Sequence, residues 1–174
     1  MNNLLDRIYK AAGLVSALLI LAICLLVSLQ IVLNAIGRLS PGLLPSTIPS
    51  YADFAGFMLA SSTFLAMAYT LRSGGHVRVN LFVQRLPQGG TLLAEAAALV
   101  AGAAFVGLAL WYGVALVLES FHYGDVSSGI VPVPLWVPQS VMAVGLALLL
   151  VALLHTLADL FRLRKPTLNS PDEV

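Results

Sequence analysis

Residues 11–37 read AAGLVSALLILAICLLVSLQIVLNAIG, 27 consecutive positions without an aspartate, glutamate, lysine or arginine. A helix rises about 1.5 Å per residue and the oily core of a bilayer is about 30 Å thick, so about 20 mostly apolar residues cross it. This run is long enough to span. It is also longer than the apolar region of a cleaved signal peptide, about 7–15 residues, and reads as a retained helix. Cys24 near its middle is the chain's only cysteine, which excludes an internal disulfide. A buried, inert thiol is expected there. Leu21-Ala22-Ile23-Cys24 only faintly resembles a lipoprotein processing site, because Ile23 is bulky and the apolar run continues past the cysteine.

Three more runs follow. Uncharged stretches of 18, 23 and 33 residues separate Asp53 from Arg72, Glu95 from Glu119, and Asp125 from Asp159. The last contains Pro132, Pro134 and Pro138, which hold off a helix until about Leu135. Spans are therefore expected at about 12–36, 52–72, 92–119 and 136–160. The composition agrees: 59% of residues are hydrophobic and 10% charged, against about 45–50% and 25% in soluble domains. The fold class is an all-α integral membrane protein with four transmembrane helices. Residues 1–165 form its single domain and 166–174 a flexible tail. The short connecting segments leave no room for an extramembrane catalytic domain, and no basic face suits nucleic acid.

Basic residues fix an expected orientation. Arg7 and Lys10 precede the first span, Arg38 follows it, Arg72, Arg78 and Arg85 lie between the second and third, and Arg162, Arg164 and Lys165 follow the fourth. Eight of the nine thus fall on the side of the termini. Basic short loops stay in the cytoplasm, so both termini are expected there. The loop RSGGHVRVNL (72–81) then faces the cytoplasm. After Gly74-Gly75, the segment 76–86 places Val79, Phe82, Val83 and Leu86 on one helical stripe, with Arg78 and Arg85 on its flank. That pattern suits a short interfacial helix in the headgroup layer. Strict alternation over His76–Phe82 would also suit a strand, but an unpaired edge is costly at a membrane surface.

Ionisable residues inside a membrane usually mark an ion or substrate path. Here Asp53, Glu95 and Glu119 sit at span ends, within reach of the interface. Gln30 and Asn34 could bond to a neighbouring helix. Ser61, Ser62 and Thr63 suit close helix packing better than solute binding. Trp111 and Tyr112 read as packing residues, and Trp136 as an interface anchor. His155 and Asp159 share a face at i, i+4. They could relay protons or ligate a metal or haem, but two ligands are too few for a closed site. An interfacial pair, with Asp159 bonded to His155 or to an arginine, is the simpler reading. No cofactor is expected.

Tyr51-Ala-Asp-Phe at the start of the second span, Arg72 at its end, Gly75-His-Val-Arg-Val-Asn-Leu, then Leu86-Pro87 resemble one family. It is the small membrane subunit, DctQ-type, of the TRAP (tripartite ATP-independent periplasmic) transporters. Asp53, Arg72, His76, Val77, Arg78, Val79, Leu86 and Pro87 carry the likeness, with the Pro-x-Trp-x-Pro of residues 134–138. Asn80 departs from it, standing where the family usually has an aspartate. The first loop is longer and richer in proline than expected. The resemblance implies an accessory scaffold in the bacterial inner membrane, not an enzyme. Its partners would be a large Na⁺-coupled elevator subunit, membrane lipid and a periplasmic binding protein that delivers a carboxylate-type solute. The candidate partner or membrane anchors are Asp53, Arg72, His76, Arg78, Val79, Phe82, Arg85 and Trp136. Two competing readings are a membrane anchor of a haem or quinone oxidoreductase and a self-sufficient small exporter.

Overall fold

The structure, a computed structural model, describes residues 2–40, 45–73 and 88–163. Each apolar run forms one helix: α1 (Asn2–Leu39), α2 (Tyr51–Arg72), α3 (Gln88–Tyr123) and α4 (Trp136–Leu163). All four are long and apolar enough to cross a membrane. Hydrocarbon offers no partner for a backbone N–H or C=O, so a helix that bonds its own backbone is the stable form of such runs. The helices outlast the hydrocarbon: at 38 residues, α1 is roughly 57 Å long at about 1.5 Å per residue. The expected interfacial helix at 76–86 lies outside the described residues.

The helices do not form a closed ring. α2 and α4 pack together at the centre, with α1 on α2 and α3 on α4. The two central helices run in the same direction. Ser50 and Val131 meet just before their starts, and Arg72 meets Asp159 near their ends. The core draws on all four helices, with Tyr9, Ala68, Leu71, Leu99, Leu149, Ala152, Leu153 and Leu160 in contact. Half of these residues belong to α4, as its central place requires.

Small residues set the spacing. A Cβ on Gly145 would stand 2.6 Å from the backbone C and O of Phe64, so α4 touches the main chain of α2 there. Ser61 and Ser62 are buried in the same region. The Ser16 hydroxyl of α1 donates to the Ser62 carbonyl at 2.8 Å. Ser61 and Ser62 thus suit close helix contact, as their size suggested, whereas Thr63 is exposed and its hydroxyl donates within α2 to the Leu59 carbonyl at 2.8 Å.

The side-chain environments revise three expectations. Cys24 is exposed on α1, not buried. Trp111 and Tyr112 are 76% and 66% exposed on α3, so they do not pack inside the bundle. α3 packs mainly on α4, which leaves them uncovered. Gln30 bonds the following loop rather than a neighbouring helix. Its amide nitrogen donates to Asn34 Oδ1 at 3.2 Å and Thr47 Oγ1 at 3.0 Å, and its oxygen accepts from the Ile48 N–H at 2.8 Å. Gln30 is 3% exposed, so losing it would strand buried polar groups. Gln30→Ala is expected to speed amide exchange at Ile48 about tenfold, the effect of one lost hydrogen bond. Unchanged exchange would show that the loop is held elsewhere.

The α3–α4 connection is built by its turn residues. Gly124 takes φ +69°, and the Asp125 N–H reaches back to the Ser120 carbonyl at 3.1 Å. This is the six-to-one bond that closes a helix through a left-handed glycine. Val126 and Pro134 then form an isolated bridge. α4 starts at Trp136 with Pro138 in its first turn, where a missing N–H costs nothing.

Candidate functional site

The two ends of the helix array carry different chemistry. At the end where α2 and α4 start, Asp53 occupies the first turn of α2, where a carboxylate suits the positive pole of the helix. It sits so close to Gly129 that a Cβ there would collide with the carboxylate. Ser50 accepts from the Val131 N–H at 2.9 Å and ties the start of α2 to the α3–α4 connection. Trp136 opens α4 and meets the Phe121 ring edge-on, with centroids 5.7 Å apart. Such T-shaped pairs are worth about 0.5–1.5 kcal/mol beyond their burial. Trp136 thereby joins α4 to α3 at this end.

The opposite end gathers the ionisable groups. The Arg72 Nη1 donates to Asp159 Oδ2 at 3.1 Å and to Thr156 Oγ1 at 3.4 Å. Thr156 in turn donates to the Ala152 carbonyl at 2.8 Å and is 1% exposed. His155 Nε2 lies 3.7 Å from the same Asp159 oxygen. Asp159 thus meets both an arginine and His155. The arginine comes from α2, so the contact crosses the central seam. The i, i+4 spacing of His155 and Asp159, and a bond from Asp159 to an arginine, were expected from the sequence; that the arginine is Arg72, 87 residues away in the chain, was not.

Tyr9, Asp6 and Lys10 of α1 stand beside this cluster. With Tyr69, Arg72 and Ser73 they line a cavity of about 360 Å³. Tyr9 drew no attention in the sequence, yet it is 1% exposed and part of the core. Glu95 of α3, which the sequence placed within reach of the interface, is buried. Among the described residues no three His, Cys, Asp or Glu side chains gather as they would around a metal ion.

The predicted anchors thus divide. Arg72 lies at one end, with Asp53 and Trp136 at the other; about 28 Å of helix separates Asp53 from Arg72 at about 1.5 Å per residue. His76, Arg78, Val79, Phe82 and Arg85 lie outside the described residues. What the described groups do chemically is hold helices together at the two ends of the array. None of the spans carries a charged group in its middle.

Comparison with known proteins agrees with this picture. No curated protein and no solved structure matches the chain. Residues 31–163 match the family described as "DctQ: Tripartite ATP-independent periplasmic transporters, DctQ component". That range covers all of α2, α3 and α4 and the end of α1. The chain is therefore a multi-pass membrane protein of transmembrane transport and belongs to the DctQ family, the small subunit of TRAP transporters.

Proposed function

We propose that this chain is the scaffold subunit of its transporter in the bacterial inner membrane. It braces a large membrane subunit that couples Na⁺ to uptake of a carboxylate-type solute, delivered by a periplasmic binding protein. The observation that carries this reading is the placement of charge. A DctQ chain with no charged residue in the middle of any span has anchors for two membrane faces and no charged group along a crossing path. Both termini and residues 74–87 face the cytoplasm in this reading, supported by the distribution of the nine basic residues. Residues 76–86 lie along the inner surface as a short helix, with His76, Arg78, Val79, Phe82 and Arg85 anchoring it. Arg72 anchors the same face. Asp53 and Trp136 mark the outer face, where the binding protein docks. Residues 1–165 act as one domain in this reading; the tail expected at 166–174 lies outside the described residues.

Co-expression tests the reading. The tagged chain should retain the large membrane subunit through purification in nanodiscs. Proteoliposomes containing the large subunit and binding protein should take up solute only when this chain is added. Clean separation of the two membrane proteins, or full uptake without this chain, would refute it.

A further inference from the structure

The cavity between α1 and α2 at the Arg72 end holds an unusual set of uncommitted polar groups. Asp6 and Lys10 are four residues apart on one helix, the spacing at which opposite charges pair. Among the described residues no ion pair joins them. The Tyr9 hydroxyl is buried and has no hydrogen-bond partner among the described residues. Arg72 commits Nη1 to α4, but a guanidinium carries five N–H donors. A buried polar group without a partner is costly and calls for one. Here one carboxylate, one ammonium, one guanidinium and three hydroxyl-bearing residues, Tyr9, Tyr69 and Ser73, line a space of about 360 Å³.

A second feature lies next to it. Leu14 and Leu18 continue the Lys10 face of α1 at four-residue steps, followed by Leu21 and Leu25, and all four are more than half exposed. A polar cavity at a helix end, opening onto an apolar strip along the span, has the two-part form of a lipid site. Either end of a spanning helix array meets a headgroup layer, so this holds whichever end faces the cytoplasm.

We propose that this cavity binds the headgroup of an amine-bearing zwitterionic phospholipid, phosphatidylethanolamine in class. The phosphate takes Lys10, the Arg72 guanidinium and the Tyr9 hydroxyl; the ammonium donates to Asp6; an acyl chain lies along Leu14 and Leu18. Asp6 sets the specificity. It repels a headgroup that is only anionic, and a trimethylated ammonium has no N–H to give it. Charge-assisted hydrogen bonds of this kind are the stronger class.

The test uses the purified full chain in detergent, with bound lipid counted by native mass spectrometry. Phosphatidylethanolamine, phosphatidylcholine, phosphatidylglycerol and inorganic phosphate are supplied in turn. The chain is expected to retain phosphatidylethanolamine about tenfold better than phosphatidylcholine, the factor one charge-assisted hydrogen bond supplies. Asp6→Asn should erase that preference and leave phosphatidylglycerol binding no weaker. Lys10→Gln should lower retention of both phosphatidylethanolamine and phosphatidylglycerol. Equal retention of the ethanolamine and choline lipids by the unaltered chain would overturn the proposal without any variant. So would unchanged preference in Asp6→Asn, or displacement of the lipid by inorganic phosphate, which would identify a free anion as the ligand.

Discussion

Gly145→Ala will lower the stability of the purified chain by about 2–3 kcal/mol, the upper part of the usual range for forcing a methyl group into a packed site. The new Cβ would stand 2.6 Å from the backbone C and O of Phe64 and 2.7 Å from its Cβ. Main-chain atoms cannot swing aside as a flexible side chain does, so α2 and α4 must separate. Ala68 and Ala152, both 0% exposed, belong to the same core. A shift that relieves Gly145 loosens them as well. The right controls are Gly107→Ala on α3 and Gly56→Ala on α2, because nothing stands within 4 Å of a Cβ at either position. Alanine favours a helix over glycine by up to about 1 kcal/mol, so these two changes should be neutral or stabilising. Thermal unfolding of the three variants in one detergent decides. A Gly145→Ala protein as stable as Gly107→Ala would mean that the central seam is not tightly packed.

The same contrast shows what the sequence could and could not disclose. The four helices were legible because uncharged runs of membrane length admit one backbone solution. The start of α4 at Trp136 was legible because proline constrains only its neighbours, a local effect. Gly145 was not singled out, since a glycine in a helix gains its meaning from the chain opposite, here Phe64. Trp111 and Tyr112 read as packing residues because they lie deeper in the span than an interface anchor such as Trp136. They face outward because α3 packs mainly on α4, a fact of helix order that no local pattern carries. Gln30 and Asn34 signalled themselves as amides in an apolar run, but the partners Thr47 and Ile48 of Gln30 follow from how the loop folds back. The Arg72 end was half visible. The His155–Asp159 spacing was there to read, whereas the closure by Arg72 and the burial of Tyr9 depend on which helices become neighbours.

Arg72→Ala is expected to cost about 2 kcal/mol, and more than Asp159→Ala. Breaking a fully buried ion pair costs about 3–5 kcal/mol, and an exposed pair is worth about 0.2–1 kcal/mol. The Arg72 and Asp159 side chains are 24% and 21% exposed, which puts this pair between the two limits. The asymmetry follows from the helix termini. Arg72 is the last residue of α2, where a cation suits the negative pole of the helix. Asp159 lies near the end of α4, where a carboxylate opposes that pole. Without Arg72, Asp159 keeps its unfavourable position with only His155 nearby, at 3.7 Å. Without Asp159, Arg72 still has the end of α2 and Thr156. Replacing both by alanine removes the two charges together, so the double variant should be more stable than the sum of the single changes by about 1–2 kcal/mol. A double-mutant cycle measured by unfolding in detergent tests this. Strict additivity would mean that the bond does not couple α2 to α4, and a larger loss in Asp159→Ala would overturn the helix-pole argument. Coupling with the predicted asymmetry would identify Arg72 as a residue that locks the two central helices, so an arginine at the end of α2 has a structural reason that precedes any contact with a partner.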